Sequence, residues 1–325
     1  MARKAARTIK KAQRSKGILL IGPLTQDRIY VGNELRKSSV GGVIFYAAHC
    51  LARLGVPATA LVMLNAEQRG LLEAFPQQVQ TVPIIKRYAV SHEIHYAKAN
   101  PYRRVQRATL ETSTLGVQEL PAMEYGAFST VMLGPQYATD FSLESVKHIA
   151  AANPNVVSVA QGFVRTIKKG RVVTQSLQAK PLLRHIRTLL INEIEARRIM
   201  PDVGENERAQ KLAGFGPQEV IITKGRDGAL VYDAREQGTK RFTRVAGFEP
   251  GIVKDWTGAG GTFFAAYLAR RTEGASIESA GAFAAMATTL KLRREGPPQA
   301  SRAEVERHVG VHRFLRMEQE GTALP

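Results

Sequence analysis

The sequence predicts an α/β fold with a mostly parallel sheet and helices on both of its faces. Three observations carry this: short apolar runs at residues 18–21, 129–133, 156–159, 189–191 and 220–222, helical stretches between them, and glycines at the joins. Strands that alternate with helices imply right-handed βαβ crossovers and ligands at the carboxyl ends of the strands. The 325 residues suffice for one large α/β domain with a smaller appendage, or for two domains.

Residues 1–16 hold Arg3, Lys4, Arg7, Lys10, Lys11, Arg14 and Lys16 with no acid, and small apolar residues between them. A disordered basic tail is the leading reading, and an organelle-targeting peptide is the other. Residues 17–22 form a buried first strand, with Asp27 at its outer end. Gly41 and Gly42 precede a helix over 43–54 that Gly55 closes, and 58–63 is the next strand. From 81 to 114 the pattern becomes alternating and β-prone, with a turn expected at Asn100-Pro101. Arg103, Arg104 and Arg107 follow that turn and suit either a phosphate or a solvated face. A helix is expected over 143–152. The strand at 189–191 runs into Asn192, Glu193, Ile194 and Glu195. Residues 220–232 read as strand, glycine turn, strand, with Thr223, Gly225 and Gly228 in the turn region, and 240–246 as a further strand. Helices close the chain at about 278–293 and 302–316, the second opened by a Ser301/Glu304 capping box, and 317–325 form a tail.

Composition narrows the function classes. An apolar share of 44% and a charged share of 23% are ordinary for a globular domain. No apolar run has the length of a membrane helix, and no signal-peptide core follows the N-terminus, so a cytoplasmic location is expected. Cys50 is the one cysteine and sits in an apolar helical pattern, which fits a buried thiol in a reducing compartment. The net charge is +18, and +11 remains after the tail's seven basic residues. Such a balance attracts polyanions, nucleotide or nucleic acid among them.

The densest signal is Asp255-Trp256-Thr257-Gly258-Ala259-Gly260-Gly261, placed just before a helix expected from Phe263 to Arg271. A glycine turn that opens a helix leaves backbone N–H groups unpaired at the positive end of the helix dipole, a place suited to an anion. Tight packing of a helix start against a strand accounts for the same glycines, and both readings stand on these residues alone.

Asp-x-Thr-Gly-Ala-Gly before an apolar helix resembles the C-terminal signature of the ribokinase-like (PfkB) carbohydrate kinases. The resemblance extends to Asp27, Gly41 and Gly42, to the Asn192/Glu195 pair and to the Thr223–Gly225 turn, in the family's order over roughly residues 17–310. It implies a ribokinase-like three-layer αβα sandwich with a small β lid near 81–114, and transfer of the γ-phosphate of ATP to a hydroxyl of a sugar, polyol or nucleoside. A homodimer through the lid is a further implication. In that mechanism Gly258, Ala259 and Gly260 would donate N–H groups to the migrating phosphoryl. Asp27, Gly41, Gly42 and Tyr46 would line the acceptor pocket, and Thr223, Gly225 and Gly228 the nucleotide. Asn192 and Glu195 would position hydrated Mg²⁺. Two departures matter: Gly261 stands where the family has its general-base aspartate, and Ala160 where one branch has another aspartate. Asp255, which precedes the turn, is poorly placed to substitute. The carboxylate's absence implies low or no turnover with nucleotide binding retained, and the alternative is a catalytically inactive pseudokinase or a basic polyanion- or RNA-binding scaffold.

Overall fold

The computed structural model describes residues 17–87, 90–97, 100–108 and 113–319. The basic segment 1–16 and residues 320–325 lie outside them. Seven strands form the parallel part of the main sheet: β1 (Ile18–Pro23), β4 (Ala58–Leu64), β5 (Val79–Ile85), β8 (Thr130–Leu133), β9 (Val156–Val159), β12 (Thr188–Asn192) and β13 (Glu219–Thr223). An antiparallel pair, β14 (Ala229–Asp233) and β15 (Phe242–Val245), extends it to nine strands in the order β15-β14-β13-β12-β9-β8-β1-β4-β5.

The period of two along each strand divides the core in half. Ile18 and Leu20 face one hydrophobic cluster, while Leu19 and Ile21 face the other. The first cluster is closed by α1 (Val43–Arg53), α6 (Ala259–Thr272), α7 (Ile277–Leu292) and the start of α8 (Arg302–Gln319). Residues of α2 (Leu143–Ala152), α3 (Lys180–Leu183), α4 (Glu193–Ile199) and α5 (Glu205–Ala213) close the second. The three-layer expectation is met. Strands buried on both faces read as continuous apolar runs, which is why they were legible.

A second sheet of six strands runs in the order β10-β11-β7-β6-β2-β3. It consists of β2 (Thr25–Val31), β3 (Glu34–Gly41), β6 (Val90–Ala97), β7 (Asn100–Ala108), β10 (Arg165–Lys168) and β11 (Arg171–Thr174). It corrects the 81–114 assignment in three ways. β5 lies at the edge of the main sheet, parallel to β4, where Pro83 is tolerated because an edge strand need not donate every N–H. Asn100-Pro101 begins β7 instead of making the turn. The sheet also recruits 25–41 and 165–174, whose pairing partners are remote in sequence. Alternation marks a strand but does not say which sheet takes it. The Arg103 and Arg104 side chains lie outside the described residues, and Arg107 is exposed.

Cys50 is buried on α1 and donates to the Thr262 carbonyl of α6 at 3.6 Å. Burial pushes its thiol up to about 12. The native protein should therefore resist a thiol reagent at pH 8 and react with one equivalent after denaturation. A native protein modified at the rate of a free thiol would contradict this packing.

Candidate functional site

Two helix N-termini meet at the carboxyl edge of the parallel strands. Gly42 caps α1 at φ +104°, and Gly258 caps α6 at φ +78°, both conformations that favour glycine. Among the described helices of eight or more residues, only these two have no acidic residue in the first turn. Neither first turn supplies a carboxylate of its own to the positive end of its dipole.

α6 begins at Ala259, four residues before the expected Phe263. Glycine's low helix propensity hides the start, yet the first turn makes no backbone bonds that glycine would weaken. The anion turn is thus Gly258 and the first turn of α6. Ala259 N–H spends itself on the Trp256 carbonyl at 3.4 Å, and Thr262 N–H on the Gly258 carbonyl at 2.9 Å. The N–H groups of Gly258, Gly260 and Gly261 have no acceptor among the described residues. Three amides remain for a ligand, with Gly261 in place of Ala259.

The turn is held from behind. Asp255 accepts from Thr257 N–H at 2.8 Å and Gly296 N–H at 3.0 Å, and lies 3.3 Å from the Lys291 ammonium. The Lys291 side chain is wholly buried and also donates to the Asp255 carbonyl at 2.8 Å. Burial opposes charge on Asp255, but Lys291 and the two N–H donors outweigh it and hold the carboxyl below its usual range. Asp255 therefore fastens loops and is not available to take a proton.

Tyr46, in the first turn of α1, packs on the Gly258 turn. A Cβ on Gly258 would fall 2.1 Å from its ring, and Lys291 lies 5.6 Å over the ring centre. Burial raises the Tyr46 phenol, and the charges of Asp255 and Asp27 raise it further. Gly261 is closed in a different way. A Cβ there would meet the Val43 carbonyl of α1 at 2.9 Å, so backbone must move before any carboxylate can occupy the base position.

Asp27 is buried on β2 and not on a loop. His92 of β6 approaches it through Nδ1 at 3.1 Å, and His92 Nε2 is 2.9 Å from the Tyr137 hydroxyl. Both Asp27 Oδ2 and Thr25 Oγ1 lean over Gly41, where a Cβ would come within 2.5 and 2.6 Å of them. The Thr25 hydroxyl is buried without a hydrogen-bond partner among the described residues.

The residues expected on the nucleotide side follow along the sheet. Asn192 and Thr223 are register partners on β12 and β13. Asn192 caps α4 through Glu195 N–H at 2.8 Å, and the buried Glu195 carboxylate lies 3.5 Å from Arg165. Burial raises the Tyr137 phenol, and the charge of Arg165 partly offsets this. Gly225 and Gly228 sit at φ +61° and +84° in the β13–β14 turn; a Cβ on Gly228 would collide with the Val245 carbonyl at 2.0 Å. Ala160 is buried in the second cluster. His92, Tyr137, Arg165 and Lys291 escaped sequence reasoning, since single polar residues in alternating or helical runs carry no signal of inward aim.

The profile of the pfkB family carbohydrate kinases matches residues 36–302. The chain belongs to that family. It is 30% identical over 120 residues to a cytidine kinase of Thermococcus kodakarensis, a match that spans 37% of this chain and 41% of that protein. Its fold is similar to a pyrophosphate-dependent kinase of the ribokinase family complexed with a pyrophosphate analog and myo-inositol: TM-score 0.74 at 22% identity, covering 89% of this chain and 99% of that one. Arabidopsis thaliana ribokinase complexed with ribose and ATP gives 0.68 at 18%, covering 90% and 98%. The family transfers phosphoryl groups to alcohols, generally from ATP with a divalent metal. No helix of the described residues is long and apolar enough to cross a membrane.

Two predictions follow from the geometry. Gly258→Ala should cost at least about 2 kcal/mol, from left-handed strain plus the Tyr46 collision. Gly260→Ala, whose Cβ would meet nothing within 4 Å, should be neutral or stabilising by up to about 1 kcal/mol. Urea denaturation distinguishes them, and equal effects would contradict the turn described. Asp140 is the second case. Burial pushes its carboxyl up to about 6 against the N–H donors of Tyr137 and Gln136. The folded state then binds that proton more tightly than the unfolded chain, so stability falls as pH rises from about 4 to about 6, by on the order of 3 kcal/mol. Asp140→Asn should flatten that part of the stability–pH curve relative to the parent protein.

Proposed function

We infer that this chain binds a condensed phosphate, ATP with Mg²⁺ foremost, against the first turn of α6 and passes its terminal phosphoryl to a hydroxyl of a sugar, polyol or nucleoside. The observation that carries this reading is the set of unpaired Gly258, Gly260 and Gly261 amides at a helix end without acids. Phosphoryl transfer relies mainly on positioning and on stabilising spread negative charge, which these amides supply. Thr223, Gly225 and Gly228 would line the nucleotide, and Asp27, Gly41, Gly42 and Tyr46 the acceptor. Mg²⁺ would arrive on the donor phosphates and neutralise them. Among the described residues no group of three His, Cys, Asp or Glu side chains gathers as a metal cage. Asn192 is spent on its cap and Glu195 is paired, which suits contact through water. A homodimer through the six-stranded sheet belongs to the same reading.

A binding-only protein is the second reading, favoured by the Val43 carbonyl that crowds position 261. Trp256 separates the two at the first step, because it is the chain's one tryptophan, half-exposed and beside the turn. Its fluorescence should respond saturably to Mg·ATP or to pyrophosphate and not to AMP. Phosphotransfer to a panel of pentoses, inositols and nucleosides then distinguishes enzyme from binder. No fluorescence response to either condensed phosphate would reject the donor site.

A further inference from the structure

The lost carboxylate at 261 leaves open which group removes the acceptor's proton. We propose that Asp27 does so, held for that task by His92 and Tyr137; the proposal rests on the phosphotransferase reading above. Its basis is a buried chain of three polar side chains, each given by a different segment: Asp27 by β2, His92 by β6, and Tyr137 by the loop after β8.

The hydrogen-bond directions follow from chemistry. A carboxylate only accepts, so His92 carries its proton on Nδ1 and donates to Asp27 Oδ1 at 3.1 Å. That leaves Nε2 to accept from the Tyr137 hydroxyl at 2.9 Å. One carboxylate oxygen is thereby tied down. The other, Oδ2, leans over the bare backbone of Gly41 beside the unpartnered, buried Thr25 hydroxyl. A buried hydroxyl without a partner is uncommon, and a ligand hydroxyl placed over Gly41 would satisfy it while giving its own proton to Oδ2. The pair thus receives one substrate oxygen from two sides. Gly41 adjoins Gly42, the cap of α1, and Tyr46 in the first turn of that helix packs on Gly258, which puts this pocket next to the glycine turn.

The step balances. The acceptor O–H breaks and its proton goes to Asp27 Oδ2. The oxygen's electron pair forms the new P–O bond, and the bond to the leaving phosphate breaks with its electrons on that phosphate. The proton leaves for solvent as product departs. In a loose transition state proton removal comes late, so positioning of the accepting oxygen matters more than its strength as a base. His92 and Tyr137 are positioning residues, since they act through Asp27.

The test uses the full chain with Mg·ATP or pyrophosphate as donor, whichever the parent protein uses, and its best acceptor from the panel. Asp27→Asn should lower kcat at least a hundredfold, change the acceptor KM less than tenfold, and leave the Trp256 response to donor intact. His92→Gln should lower kcat about tenfold and move the acidic limb of the kcat–pH profile by half a unit or more. A purely structural loss would not move that limb. The proposal is overturned if Asp27→Asn raises KM with kcat retained, which marks a binding group only. It is also overturned if Gly261→Asp gains a hundredfold while Asp27→Asn loses nothing, or if the parent protein binds donor but transfers to no acceptor. A parent protein that binds neither donor overturns the reading underneath instead.

Discussion

The contact on which the site depends is the one between the first turns of α1 and α6. Gly258 lies against the Tyr46 ring and Gly261 against the Val43 carbonyl, each too close for a Cβ. Those approaches bring two acid-free helix ends to one place, so their dipoles and orphan amides act together. Glycine is needed here for space as much as for backbone freedom. The Lys291–Asp255 pair behind the turn keeps it from relaxing. A buried pair of this kind adds little net stability, but its geometry, with every Asp255 contact directed, suits a positioning role.

The same closeness bears on position 261. A Cβ there would meet the Val43 carbonyl at 2.9 Å, so an aspartate needs the α1 backbone to shift. Asp27 has one oxygen held by His92, which Tyr137 meets in turn, and so ties the second sheet to the loop after β8.

Much of this was legible in the linear chain. The apolar runs read as strands because both faces of the main sheet are covered. Asp27, Gly41, Gly42, Tyr46 and the 255–261 turn could be named through the resemblance to the pfkB kinases, whose motifs stand in the same order here. The placement of β5 was not legible, since an alternating strand fits either sheet. Nor was the start of α6 at Ala259, where three small residues conceal a helix from periodicity. The strands 25–41 and 165–174 pair with segments far away, and no local rule announces such partners.

By itself the sequence determined the layers and the position of the glycine turn before α6, because both are set by local patterns of size, polarity and backbone freedom. Only the tertiary structure decided that His92 and Tyr137 back Asp27, that Lys291 backs Asp255, and that Val43 blocks position 261. Those are encounters between side chains or backbone groups from remote segments. Their geometry comes from how the sheets and helices pack, which no stretch of neighbouring residues encodes.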